Sequence, residues 1–227
     1  MAGVFITFEG IDGSGKSTQM RLLGGELKAQ DLEVISTREP GGTPLGQRLR
    51  AALLDVEEQV DPLAELLVFA ADRAQHVRTI LRPALAANQI VLSDRYADAT
   101  VAYQGAGRGF DSNLIAEIVR LATDGLKPDL TLIFNLPVEE CVARTRRRHE
   151  TKSTGDRIDA EDIEFHTRVR DAYLQIAADE PERVRLVDAT GEVQETHKIV
   201  TKAVLKFLQE RGLLKETLES DSASGTD

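Results

Sequence analysis

Gly10, Gly15, Lys16 and Ser17, inside FEGIDGSGKST at 8–18, carry the G-x-x-x-x-G-K-[ST] spacing of a phosphate-holding loop. The chemistry needs these residue types. Glycines let successive backbone N–H groups face an anion, and the N-terminus of the next helix adds a favourable dipole. A lysine then reaches the β- and γ-phosphates of a nucleoside triphosphate, and a hydroxyl serves Mg²⁺. The loop runs through Gly10, Ile11, Asp12, Gly13, Ser14 and Gly15, and Lys16, Ser17 and Thr18 open the helix; all are expected to contact the nucleoside triphosphate. The pattern leaves open who receives the phosphoryl group.

Three further clusters bear on that question. SDRY at 93–96 places Asp94 where an acid can orient Mg²⁺ opposite Ser17, directly or through water, with Arg95 beside it to bridge phosphates. TREPGGTPLG at 37–46 reads as a strand end followed by a helix capped by Thr43 with Pro44 at its first position. Arg38 stands there with nothing apolar to pack on, which suits a bidentate grip on a phosphate monoester. A surface arginine in a capped turn fits the same place. Pro40 before Gly41–Gly42 allows a cis bond after Glu39. RTRRRHETKSTGDR at 144–157 holds six basic and two acidic residues. Arg144, Arg146, Arg147, Arg148 and Arg157 could form a lid that excludes water and neutralises transition-state charge. A solvated basic helix face is the plainer alternative.

Phe69 and Arg73 share one helix face at i, i+4. The pair could stack on and hydrogen-bond a nucleobase, and a core phenylalanine beside a surface arginine fits equally well. Cys141 reads as a passive buried residue. His76, His149, His166 and His197 lack metal-ligand spacing, so no metal beyond Mg²⁺ is expected.

These residues need a scaffold. Near-continuous apolar runs at 4–9, 32–37, 89–94, 130–136 and 183–188 read as parallel strands covered on both faces. Amphipathic segments such as 18–30 and 112–126 lie between them. The alternation predicts an α/β fold, a doubly wound parallel five-stranded sheet flanked by helices. Ligands collect at the carboxyl ends of such strands, where every cluster above falls. The expected organisation is one domain over 1–214 and an acidic, disordered tail over 215–227.

Composition sets outer bounds. Over 227 residues, 41% hydrophobic and 29% charged, there is ample material for a core. A net charge of −10 argues against a nucleic-acid-coating protein but not against small anionic substrates. A single cysteine excludes an internal disulfide framework and fits a reducing cytoplasm. No apolar run is long enough to span a membrane.

FEGIDGSGKST, TREPGGT, FAADRAQHV, SDRY, AYQGAGRG and the basic RTRRRHETKSTGDRID occur in order over about 3–214, and together they resemble the thymidylate kinases. The resemblance implies a P-loop nucleoside-monophosphate kinase fold, transfer of the γ-phosphoryl of ATP to dTMP with Mg²⁺, and a homodimer. It implies that Asp12 faces the 3′-hydroxyl region of the deoxyribose and joins Lys16 and Arg95 as the catalytic set. Arg38 and Arg95 would hold the dTMP phosphate, Phe69 would stack on thymine, and Arg73 would donate to a thymine carbonyl. Tyr103 would crowd the 2′ position, with Thr100 and Gln104 nearby, and Arg144 would lie on the adenine side. Some members of the family carry a basic residue in the phosphate loop and others in the lid. Gly13 in the loop and arginines in the lid match the second, bacterial-type arrangement. Asn135 replaces a common aspartate and Ala99 a common small hydroxyl residue.

Two rival readings share the loop. A deoxynucleoside kinase needs a carboxylate near a 5′-hydroxyl, and the phosphate-gripping TREPGG argues against it. A GTPase-like switch could use Asp188–Gly191 as D-x-x-G, but no N-K-x-D or T-K-x-D follows.

Overall fold

A parallel sheet buried on both faces demands strands without a polar side, and β1 (Val4–Glu9) buries all of its residues. The computed structural model describes residues 3–54, 59–152 and 157–214. The remaining strands are β2 (Val34–Arg38), β3 (Ile90–Asp94), β4 (Leu130–Asn135) and β5 (Val184–Asp188). They pair in the order β2-β3-β1-β4-β5, every pairing parallel. The predicted five-stranded sheet is therefore present.

Helices α1 (Lys16–Ala29), α2 (Pro44–Leu54), α3 (Pro62–His76), α4 (Arg82–Ala86), α5 (Ala97–Thr100), α6 (Ser112–Thr123), α7 (Val138–Lys152), α8 (Ile163–Asp179) and α9 (Val193–Glu210) connect the strands. Alternation along β1 sends its side chains to opposite faces. Ile6 and Phe8 meet Leu23 and Leu27 of α1 and Val200 and Val204 of α9. Phe5 and Val91 instead join Val77, Leu81 and Tyr96. The crossovers thus leave the carboxyl ends of the strands open along one edge.

Strand limits differ slightly from expectation. β2 starts at Val34, because Asp31 turns with φ 59° after α1 and Leu32 is still leaving that turn. α6 stops at Thr123, where Asp124 and Gly125 take φ 51° and 73°. The Thr43 hydroxyl accepts from the Gly46 N–H at 2.9 Å, as the capping pattern predicts. The Glu39–Pro40 bond is cis. Residues 153–156 of the expected lid, the side chain of His149 and the expected tail 215–227 lie outside the described residues.

Two π-helical stretches have no sequence counterpart: Val77–Leu81, between α3 and α4, and Val101–Gly107, which follows α5 and carries Tyr103 and Gln104. Such turns are rare and concentrate at functional sites. Gly107 ends the second because α8 passes close by. A Cβ there would lie 2.7 Å from the Phe165 ring.

Candidate active site

The phosphate loop follows β1, and α1 opens at Lys16 with no acidic residue in its first turn to occupy its N–H groups. Lys16 is 4% exposed. Its Nζ donates to Asp12 Oδ1 at 3.1 Å and to the Ile11 carbonyl at 3.3 Å. The other Asp12 oxygen, Oδ2, accepts from Arg95 Nη2 at 2.7 Å. One carboxylate therefore brings together a lysine from the loop and an arginine from the end of β3. Burial alone would raise the Asp12 carboxyl, but Arg95 and Lys16 outweigh it and hold the group well below the usual carboxylate range.

Arg95 is set with unusual care. Its backbone takes φ 75°, sparsely populated for a side chain of this size. Nη2 also donates to the Tyr103 hydroxyl at 2.9 Å, and Nη1 donates to the Tyr173 hydroxyl at 3.2 Å. The guanidinium lies 4.7 Å from the Tyr103 ring centroid, a cation–π contact. Beside it, the Ser17 hydroxyl donates to Asp94 Oδ2. Hydroxyl and carboxylate oxygens are hard donors that suit Mg²⁺, which keeps much of its shell for water and phosphate. Among the described residues no group of three or more His, Cys, Asp or Glu could hold a metal ion.

Two cavities meet at this point. One, of about 270 Å³, is lined by Arg38, Phe69, Arg73, Arg95, Thr100, Tyr103 and Gln104 among others. The second, of about 540 Å³, is walled by the loop from Asp12 to Thr18, by Arg144 and by the turn from Ala189 to Val193. Asp12, Lys16, Ser17 and Arg148 line both.

Phe69, which also packs against the core, and Arg73 come together at the first cavity. Both line it, and Arg73 is only 3% exposed, so it is no surface arginine. Its Nε donates to Glu39 Oε2 at 2.7 Å, Nη1 to Thr100 Oγ1 at 2.7 Å and Nη2 to the Tyr96 carbonyl at 2.8 Å. Burial would lower the Arg73 pKa, and Glu39 more than restores it. The other Glu39 oxygen pairs with His76 Nδ1 at 2.8 Å, and His76 Nε2 meets Thr37 Oγ1 at 2.7 Å. Asp72 accepts from the Gly41 N–H at 3.2 Å and so ties the loop after β2 to α3. Burial and the nearby Glu39 push its carboxyl up to about 6. Gln104 Nε2 donates to Glu65 Oε1 at 2.9 Å.

The basic segment divides. Arg144 pairs with Glu140 at 2.6 Å and Arg148 with Asp159 at 3.2 Å, both beside the cavities. Arg146 and Arg147 are exposed and line neither cavity. Arg157 turns away to Glu65 and to the Leu53 carbonyl, because Glu65 is a buried carboxylate that collects cations. Gly10 also lines neither cavity. Ala99 lines the first, and Asn135 Oδ1 accepts from Arg170 at 3.0 Å.

Glu9, Glu39, Asp72 and Tyr173 belong to this site and were not singled out from the sequence. Glu9, Glu39 and Asp72 had a signal, lying next to Gly10, Arg38 and Arg73 in the motifs above, and Tyr173 had none.

Cys141 sits in the first turn of α7, fully buried, and burial pushes its thiol up to about 12. A thiol this far from ionisation is a poor nucleophile. Native protein at pH 8 is expected to react with a disulfide reagent at least about a hundredfold more slowly than unfolded protein. Release of thiolate dye at equal rates from both would contradict that environment.

The family model described as Thymidylate kinase matches residues 8–200. A thymidylate kinase of Geotalea uraniireducens (strain Rf4) is 50% identical over 211 residues, covering 92% of this chain and 99% of that protein. One from Exiguobacterium sibiricum (strain DSM 17290) is 43% identical over 212 residues, covering 93% and 98%. Among solved structures, the thymidylate kinase from Ehrlichia chaffeensis matches with a TM-score of 0.72 at 36% identity, over 90% of this chain and 99% of that one.

Proposed function

Because the chain belongs to the thymidylate kinase family, we propose that the γ-phosphoryl group of ATP passes to dTMP across the wall that the two cavities share. The products are dTDP and ADP. The observation that carries this reading is the Asp12 carboxylate, bound by Lys16 on one side and Arg95 on the other. Two cations that converge on one anion can equally draw two phosphates together, one from each cavity. Phosphoryl transfer asks for positioning and charge neutralisation, and a phosphate acceptor is already ionised, so no general base is needed.

In this reading the loop and Arg144 take ATP in the larger cavity. Lys16 neutralises charge between the β- and γ-phosphates, and Ser17 and Asp94 would hold Mg²⁺, which supplies further neutralisation there. Arg38 and Arg95 grip the dTMP phosphate. Arg38 is exposed at the end of β2 and makes no ion pair among the described residues, which leaves its fork available. Phe69 stacks on thymine. Arg73 has five N–H donors, three of them spent on protein partners, and the remaining two suit a thymine carbonyl. With one Gln104 amide end fixed on Glu65, its carbonyl end can accept the thymine N3–H. Tyr103 stands beside Asp12 and Arg95 where a 2′-hydroxyl would collide. Lid closure falls to Arg148 more than to Arg146, Arg147 or Arg157, since it alone of these borders both cavities.

The test is ADP formation from Mg-ATP with dTMP, dUMP, UMP, thymidine or no acceptor. Turnover dominated by dTMP is the expected result. Turnover dominated by thymidine would make the acceptor a hydroxyl and move Arg38 out of its role.

Residues 1–214 form, in this reading, one kinase domain acting in the cytoplasm, with the lone cysteine fitting a reducing compartment. We also read the protein as a homodimer. α3 and α6 pack together and leave Leu63, Leu67, Leu114 and Leu121 exposed, Leu67 at 51% and Leu121 at 59%. Exposed leucines on two packed helices suit burial against a second copy of the chain. The double substitution Leu67→Glu, Leu121→Glu is expected to shift the sedimenting species from dimer to monomer. A wild-type protein that sediments as a monomer at micromolar concentration would remove the proposal.

A further inference from the structure

Glu9 closes β1 with no exposed surface, and nothing in phosphate binding calls for a carboxylate there. Its Oε1 accepts from the Tyr96 N–H at 2.7 Å, and its Oε2 accepts from the Tyr173 hydroxyl at 2.8 Å. The same hydroxyl accepts from Arg95 Nη1 at 3.2 Å. We propose that Glu9 is a positioning residue for phosphoryl transfer, acting through Tyr173 to fix the Arg95 guanidinium where it meets the acceptor phosphate.

The supply of donors and acceptors fixes the direction of this hydrogen-bond chain. Arginine can only donate, a tyrosine hydroxyl has one proton to give, and an ionised carboxylate can only accept. With Glu9 ionised, the Tyr173 proton goes to Oε2 and its lone pairs turn to Arg95. The chain Arg95 to Tyr173 to Glu9 then has one consistent order. With Glu9 protonated, the order fails. Oε1 is committed to the Tyr96 N–H, so the added proton sits on Oε2 and faces Tyr173. The tyrosine then accepts from Glu9 and loses the acceptor that had drawn its own proton away from Arg95, so two donors compete for its oxygen and nothing holds its proton off the guanidinium. Arg95 already holds a positive φ, so its side chain keeps its place only while its surroundings fix it.

The groups facing Glu9 are Asp98, Arg95 and Tyr96 after β3, Tyr173 on α8 and Arg73 on α3. Asp98 is itself paired with Arg183 at 2.7 Å. Burial, then Asp98, push the Glu9 carboxyl up, and Arg95 and Tyr173 pull it part of the way back, to about 7. The ionised form therefore grows in as pH rises through neutrality, and dTMP use is expected to rise with it. The inference rests on the reading of Arg95 as a grip on the dTMP phosphate.

The experiment is steady-state kinetics between pH 6 and 9 on the wild type, Glu9→Gln, Tyr173→Phe, their double variant and Arg95→Ala. The amide introduced by E9Q must turn its NH₂ to Tyr173 to keep an acceptor for the Tyr96 N–H, so this variant mimics the protonated state at every pH. At pH 8, E9Q is expected to lose about tenfold in kcat/KM for dTMP, with the KM for ATP unchanged. Its profile should lack the rise near pH 7 that the wild type shows. The phosphate of the acceptor titrates near pH 6 in every variant, so the difference between profiles reads Glu9. Y173F should show the same loss, and the double variant no more than either single one. Wild-type kcat/KM and an unchanged profile in E9Q would overturn the proposal, as would additive losses in the double variant. If E9Q does not fold, Y173F decides alone, and unchanged dTMP kinetics there overturns it. Unaltered dTMP use in Arg95→Ala would instead overturn the reading of Arg95 itself.

Discussion

Replacing Lys16 with alanine is expected to lower kcat by about 10²- to 10³-fold, equivalent to roughly 3–4 kcal/mol of lost transition-state stabilisation. The buried ammonium has few places to be. Its partners are the Asp12 carboxylate and the Ile11 carbonyl, both part of the loop, and it faces both cavities. A charge fixed in that way costs no reorganisation when charge builds on the transferred phosphoryl group. The fold should survive the change, because Asp12 keeps Arg95 as a partner. Melting temperature and KM for dTMP therefore move little, while single-turnover formation of dTDP slows. Lys16→Arg should not restore the rate. A planar fork carries its charge over a larger volume than the ammonium, and only 4% of this residue reaches solvent. A kcat for Lys16→Ala within tenfold of the wild type would mean that the loop binds ATP without taking part in the transfer.

The loop was legible in the sequence because all of its parts are adjacent in the chain. β1 positions it, and the run VFITFE, buried along its whole length, could hardly be anything but a central parallel strand. The same holds for Arg38, Asp94 and Arg95, each at the last residue of a strand or just past it. What the sequence could not supply were contacts made by topology. Tyr173 reaches Glu9 across 164 positions, and no local pattern marks a tyrosine on α8 as part of a site at the end of β1. Arg73 is similar. Helical spacing placed it beside Phe69, but its burial is made tolerable by Glu39, Thr100 and the Tyr96 carbonyl, all on other elements. The π-helical stretch at Val101–Gly107 has no periodicity that distinguishes it from an ordinary helix with glycines. It nevertheless orients Tyr103 and Gln104. The arginine run at 144–157 was legible as a group and not by member, since charge runs do not say which member turns inward. Arg148 does so, and Arg157 is captured by Glu65.

Gly13→Arg is expected to damage both stability and turnover, although some members of the family carry a basic residue at this loop position. Here α7 begins directly on top of the loop. A Cβ on residue 13 would lie 2.3 Å from the Cys141 carbonyl oxygen and 2.9 Å from Thr145 Oγ1. The first of these is backbone in the opening turn of a helix and cannot rotate aside. The residue also holds φ 85°, which side chains rarely adopt. Strain and overpacking together are worth on the order of 3 kcal/mol, or a fall in melting temperature of about 6–12 °C. Gly13→Ala should lose most of that stability, because the collision starts at the first side-chain atom. Relief comes only if α7 lifts, and α7 carries Arg144 and Arg148 on the wall of the larger cavity. The new arginine therefore displaces the cations it duplicates, and kcat falls instead of rising. A Gly13→Arg protein that melts and turns over like the wild type would show that α7 is free to move off the loop. On the geometry present, close packing of α7 on the loop and the placing of Arg144 and Arg148 along the larger cavity are one arrangement, and Gly13 is the residue that permits it.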